Sequence, residues 1–295
     1  NALSGGAQLP PREQPMTTLR HEQVSARLKQ LPSLPSAVSE LLASFSNEEV
    51  DVEHIARLIA RDQGLTARVL RVANSSFYGL QSKVGTINEA VVILGFRAVR
   101  SMVMAVAMNG AFRVDHCPGF DAPAYLRHGV GVGLAARALA PLAKQNPELA
   151  FTGGLLHDIG QLVLASNFSA QYAVALAYRK QHDCPLVVAE RDVLGLDHAE
   201  VGGLLAEAWR FPDSLHQAVA EHHAPATSLA NSLANVVHLA DSFAHALGLA
   251  GFTDELLMPV DRTAWERLDL DGEKCRKAFA EIERSFEETC LVLTS

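Results

Sequence analysis

The sequence predicts an all-α fold, and three observations carry that prediction. Apolar residues recur at helical spacing, i, i+3, i+4 and i+7, through most of the chain. No segment alternates apolar and polar residues with the period of two that a half-buried strand needs. Pro, Gly, Asn or Asp marks each gap between the periodic segments. The organisation expected is a linker-like stretch at 1–18, an N-terminal helical subdomain at 19–115, and a second helical subdomain with a C-terminal helix at 116–295. The two subdomains pack together, and the boundary falls in VDHCPGFDAP, residues 114–123.

The opening stretch NALSGGAQLPPREQP is rich in Gly, Pro, Ser and Gln and has no apolar period, so it reads as a linker. Asn1 and Ala2 are compatible with a cleavage scar. A linker placed first is expected to follow another domain of a longer protein.

Six helices are expected before residue 115. TLRHEQVSARLKQL places Leu19, Val24, Leu28 and Leu31 on one face, and Pro32 and Pro35 end it. PSAVSELLASF carries Val38, Leu41, Leu42 and Phe45. DVEHIARLIARD starts at an Asp51 cap and carries Ile55, Leu58 and Ile59. GLTARVLRVAN follows with Leu65, Val69, Leu70 and Val72, and Asn74 and Gly79 shape the turn after it. TINEAVVILG has Thr86 as N-cap and Gly95 as its stop. FRAVRSMVMAVAMNGAF is the sixth, with the arginines of RAVRS expected on a solvated face. Eight further candidates follow, from PAYLRHGVGVGLAARALAPLA to GEKCRKAFAEIERSFEETCLVL. In the last, Phe279, Ile282, Phe286 and Cys290 form a stripe that suits a homodimer contact or packing on the chain's own domain; the latter is favoured.

Composition narrows the function. Hydrophobic residues make up 48% of the 295, which supports a sizeable core. The net charge of −8 and the absence of a long basic run argue against direct nucleic-acid binding. No stretch is long and apolar enough for a membrane span, and no secretory signal pattern is present. Cys117, Cys184, Cys275 and Cys290 lack CxxC spacing and read as free thiols, which points to a reducing, cytoplasmic location.

One stretch asks for an explanation. GGLLHDIGQLVL sets His157 and Asp158 side by side in an apolar run, where polar groups need partners. Seven histidines and two aspartates sit on apolar segments after residue 120: His128, His157, Asp158, His198, His222, His223, His238, Asp241 and His245. Their spacing is too long for a zinc finger. It places one ligand on each of several helices, as in metal sites inside helical bundles. Imidazole and carboxylate together suit Fe, Mn, Zn or Mg, and an aspartate can bridge two ions. A hydrogen-bonded core cluster without metal is the competing reading.

GLLHDIGQL, preceded by YLRHGVGVG and followed by DHAEVGGLLAEAWRFP, EHHAP and HLAD, resembles the HD superfamily of metal-dependent phosphohydrolases. Within it the chain is most similar to the HDOD family. LPSLPSAVSELL, IARLIARDQGLTARVLRVANSSFYG and INEAVVILGFRAVRSMVM resemble that family's N-terminal portion, so the likeness spans roughly residues 25–250. The resemblance implies an all-α fold whose second subdomain is HD-like. It also implies a role in bacterial signal transduction, often behind a receiver or other sensory domain.

Carried over residue by residue, the superfamily's metal ligands fall on His128, His157, Asp158, His198, His222 and Asp241, with His223 competing with His222. Two features depart from the similar cyclic-dinucleotide phosphodiesterases. They carry a Lys where this chain has Gln161, and a GYP segment where it reads EHHAPATSLAN. A cation at that position would stabilise phosphate charge, and neutral Gln161 does not. The resemblance therefore favours a signalling module that acts through protein partners without catalysis, as the output part of a response-regulator-type protein. The alternative is a metal-dependent phosphohydrolase acting on a nucleotide or cyclic dinucleotide.

Overall fold

The computed structural model describes residues 18–31, 34, 36–44, 51–75, 78–225, 232–251, 256 and 259–294. Every regular element among the described residues is helical. Six helices form before residue 115: α1 (His21–Leu28), α2 (Ser36–Ala43), α3 (Val52–Ala60), α4 (Gln63–Ala73), α5 (Ile87–Leu94) and α6 (Phe96–Ala111). Their starts follow the capping chemistry of the sequence. The Asp51 carboxylate accepts from the His54 amide and caps α3. Thr86 and Glu89 form a reciprocal capping box on α5, and Gly95 ends that helix at φ 86°. Asn74 closes α4, its side chain bonding both the amide and the carbonyl of Val84. Residues 1–17 of the expected linker, Pro32, Pro35 and Phe45 lie outside the described residues, as does the segment 226–231 after EHHAP.

The second half is built from ten α-helices among the described residues. They are α7 (Ala122–Leu139), α8 (Pro147–Leu156), α9 (Ile159–Asn167), α10 (Ser169–His182) and α11 (Leu186–Leu194), then α12 (His198–Ala208), α13 (Asp213–Glu221), α14 (Leu233–Ala246), α15 (Arg262–Arg267) and α16 (Gly272–Thr294). Central α7 packs against α8, α14 and α16. Helix α16 lays its stripe on this half: Ile282, Phe286 and Cys290 are buried, and the Phe279 ring meets Phe243 edge-on. Helix α15, which the periodicity did not single out, is a six-residue turn capped by Asp261.

The two halves join through α6 against α8, where Thr152 donates to the Ser101 hydroxyl and Ser101 to the Glu148 carbonyl. Helix α1 is an exception to the order of the chain, because it docks on α12 of the second half. The Leu19 amide donates to the Leu194 carbonyl at 2.7 Å, His21 meets Glu200 at 3.1 Å, and Arg27 donates to the Asn167 side chain.

Two expectations need correcting. Arg100 is buried rather than solvated: its guanidinium donates to the Ser44 carbonyl and hydroxyl. The carbonyls at the end of α2 want a donor, and a cation there is favoured by the helix dipole. The run ELAFTGGLLHDIGQLVLASN is two helices rather than one, broken at His157 and Asp158.

Close helix crossings set the geometry of the second half. A Cβ on Gly160 of α9 would collide with the His198 carbonyl and come within 2.7 Å of the Gly202 amide on α12. A Cβ on Gly154 of α8 would lie 2.7 Å from the Val132 carbonyl on α7. Glycine is required at both because backbone meets backbone. Gly160→Ala is therefore expected to cost about 3 kcal/mol of stability through overpacking, read as a lowered midpoint in urea unfolding followed by circular dichroism.

Candidate metal centre

Six helices and their ends deliver eight ligand-type side chains to one place. His128 comes from the middle of α7, and His157 and Asp158 from the break between α8 and α9. His198 opens α12, His222 and His223 follow α13, and Asp241 and His245 stand one turn apart on α14. All are buried except His223 and His245, which are partly so. The six positions inferred from the resemblance thus converge, and two histidines left outside that set join them.

The break at 157–158 has a local cause. Asp158 stands in the N-cap position of α9, yet its carboxylate makes no cap hydrogen bond. It turns inward instead. Oδ1 lies 3.0 Å from His198 Nε2 and 3.5 Å from His222 Nε2. Oδ2 lies 3.5 Å from His157 Nε2 and 3.8 Å from His128 Nε2, and accepts from the Gln161 amide at 2.6 Å. On the far side Asp241 Oδ1 is 3.0 Å from His128 Nε2 and 3.3 Å from His245 Nε2.

The imidazoles are oriented by their rear nitrogens. His157 Nδ1 donates to the Gly154 carbonyl and His222 Nδ1 to the Val219 carbonyl. A carbonyl only accepts, so each presents a lone pair on Nε2 to the cluster. His198 Nδ1 donates to Glu190 Oε2 at 2.5 Å, and the same oxygen accepts the His198 amide. This carboxylate–histidine pairing is the usual support behind a metal ligand. His238 is not a member of the cluster. It donates to the His222 carbonyl and accepts from the Asp261 amide, so both ring nitrogens are used in bracing the end of α13.

The electrostatics follow from burial and mutual charge. Burial raises the Asp158 carboxyl, but His157 and His198 outweigh it and hold the group well below the usual carboxylate range. Asp241 is likewise held low against burial, by His245 and His128. Burial pushes His157 down to about 4. His223 is pushed well down by burial and by neighbouring His222 and His198. His198 is raised well above the usual imidazole range: burial opposes this, and Glu190 and Asp158 overcome it.

The donor set fits a divalent metal. Three groups have ligand atoms within 4.8 Å of one another, the last two sharing His128: His198, His222 and His223; His128, His157 and Asp158; His128, Asp241 and His245. His222 Nε2 and Asp241 Oδ1 are buried without an aligned hydrogen-bond partner, which a native core leaves only for a reason. A cavity of about 270 Å³ opens onto the cluster. Phe120, Tyr125, Leu176, Leu186 and Val187 form its apolar wall, and Arg179 and Lys180 from the last turn of α10 stand at its edge.

The comparisons with known proteins agree with this architecture. The HDOD domain family matches residues 31–225. The chain belongs to the HDOD family. An HDOD domain protein of unknown function from Geobacter sulfurreducens shares the fold, with a TM-score of 0.77, 23% identity, and coverage of 92% of this chain and 96% of that one. A protein of Shewanella amazonensis, described provisionally as a phosphohydrolase, superposes with a TM-score of 0.65 at 29% identity, over 88% of this chain and 97% of its own. An uncharacterised protein of Treponema pallidum is 26% identical over 212 residues, 71% of this chain. The HDOD chain spans 41% of that relative's length. Helix α1 precedes the matched region.

Sequence reasoning missed Glu190, Arg179 and Lys180. Glu190 had a faint signal, a lone acid inside the apolar run VVAE that packs as α11. Glu190→Gln is expected to lower divalent-metal affinity about 10- to 100-fold with helix content unchanged, measured by competition against a chelating dye.

Proposed function

We propose that this HDOD protein is a divalent-metal-dependent phosphohydrolase used as a signal-transduction output. The observation that carries the reading is the Asp158 carboxylate, whose two oxygens face two different histidine groups. His198, His222 and His223 on one side of Asp158, and His128, His157, Asp241 and His245 on the other, are the residues that would hold divalent ions. Bound divalent ions supply Lewis acidity and a lowered pKa for water. The imidazole-rich donors favour iron, manganese or zinc over magnesium.

The chain's own residues do the rest. The Gly154 and Val219 carbonyls and Glu190 fix the imidazoles, and Gln161 fixes Asp158, so the ligands need little reorganisation. The apolar wall of the cavity lowers the local dielectric, which strengthens each electrostatic contact inside.

The non-catalytic module remains a second reading because of Gln161. Its amide is tied to Asp158, and its carbonyl oxygen accepts from Tyr172 at 3.4 Å, so it brings orientation and no charge. In that reading a metal centre stabilises the domain, and the output passes through partner proteins under control of an upstream sensory or receiver domain.

Elemental analysis of protein purified without chelator, followed by turnover assays, separates the two. The expected outcome is bound iron, manganese or zinc and hydrolysis of nucleoside monophosphates. Asp158→Ala should cut the rate about 100-fold or more, with the circular dichroism spectrum intact. Cyclic dinucleotides are expected to be left untouched, because the cavity of about 270 Å³ is too small to enclose one. Bound metal without turnover of any phosphoester would favour the relay instead.

A further inference from the structure

Arg179 and Lys180 have no part in the metal cluster, yet both line the cavity that opens onto it. They sit on the last turn of α10, where cations are favoured by the helix dipole. Arg179 is half-buried and Lys180 exposed. The remaining charged groups facing the cavity are Asp158 and Asp241 in the cluster, the histidines, and Asp121, whose carboxylate caps α7 through the Ala124 amide. Without cations in the cluster the carboxylates outnumber Arg179 and Lys180. With divalent ions bound, the balance reverses and the cavity attracts an anion.

We infer that Arg179 and Lys180 are the specificity residues of this cavity, and that they select a compact phosphomonoester with one apolar body. This deepens the phosphohydrolase reading and rests on it for the bound ions that turn the charge balance and for the position of the phosphate. Three features on different elements support the assignment. The cations lie on α10 and supply charge that position 161 lacks. The facing wall is apolar and partly aromatic: Phe120 and Tyr125 have ring centroids 5.7 Å apart, and Leu186 and Val187 open α11. The cavity of about 270 Å³ falls just below the usual range of ligand pockets, about 300 to 1,000 Å³. That volume suits a single nucleotide or smaller ester and excludes a cyclic dinucleotide lying wholly inside. Arg offers a forked pair of donors to phosphate oxygens, and Lys a point charge.

The test is a titration of the full chain with inorganic phosphate and with adenosine monophosphate, followed by calorimetry, with metal content measured on the same samples. The proteins are the wild type, Arg179→Gln/Lys180→Gln, and Arg179→Lys. The double variant should hold the same metal as the wild type and bind both ligands at least about tenfold more weakly, since charge-assisted hydrogen bonds are lost. Arg179→Lys should recover part of that affinity. Adenosine monophosphate should bind more tightly than phosphate, through the apolar wall. Equal affinity of the wild type and double variant would overturn the assignment, and so would absence of binding of either ligand to the wild type. A wild type without metal would instead sink the phosphohydrolase reading. Phosphate binding lost in the double variant of that same sample would still support the role of the two cations, and unchanged binding would overturn it.

Discussion

Asp158 is an ionised carboxylate buried where six helices meet, and a charge in such a place is stable only with partners around it. Removing it from water costs several kcal/mol, so the protein must surround it with donors or cations. It does so with imidazoles from α8, α12 and the end of α13, and with an amide from α9. Each of those groups needs its own backing, and the backing is found: carbonyls of Gly154 and Val219, the Glu190 carboxylate, the Tyr172 hydroxyl. Asp241 repeats the pattern on α14. The second half of the chain is a packed apolar bundle built around these two acids.

Bringing the donors to the acids demands closer approach than side chains allow. The glycines at 154 and 160 are where this is achieved, with backbone of α8 against α7 and backbone of α9 against α12. The second crossing brings the His198 carbonyl onto Gly160, only two residues from Asp158. The placement of the cluster's side chains and helix packing are therefore one constraint. The motif GGLLHDIG encodes both, with glycines for approach and the His-Asp pair for chemistry.

The fold was legible because helices announce themselves through apolar period and cap residues, and Asp51, Thr86 and Gly95 do cap where such residues should. Two features escaped for physical reasons. The His157–Asp158 break is invisible to periodicity, since Asp158 turns inward toward His128, His198 and His222, which are 30 and more residues away. Helix α15 is too short to show a period. Of the cluster, the ordered motifs pointed to six positions. His223 and His245 were harder to assign: one is adjacent to a better match, and the other is one turn from Asp241. Glu190 and the α10 cations are legible only in three dimensions, because their roles come from what the fold places opposite them. Arg100 shows the same limit from the other side, since only the packing of α2 against α6 makes its carbonyl partner available.

Gln161 carries the last step. Read in sequence, a neutral residue in place of a lysine looks like a loss of phosphate-binding charge. In the structure its amide shares the Asp158 carboxylate with the histidines, and its carbonyl oxygen accepts from a tyrosine that is fully buried. A lysine at that position would also donate to Asp158 but would accept nothing from Tyr172. The buried hydroxyl would then be left with Glu190 as its hydrogen-bond partner. Gln161 and Tyr172 are thus matched to each other, and the charge at the cavity edge comes from α10. Position 161 orients the acid in this chain, so the residue type there reports on how Asp158 is held rather than on whether an anion can be bound.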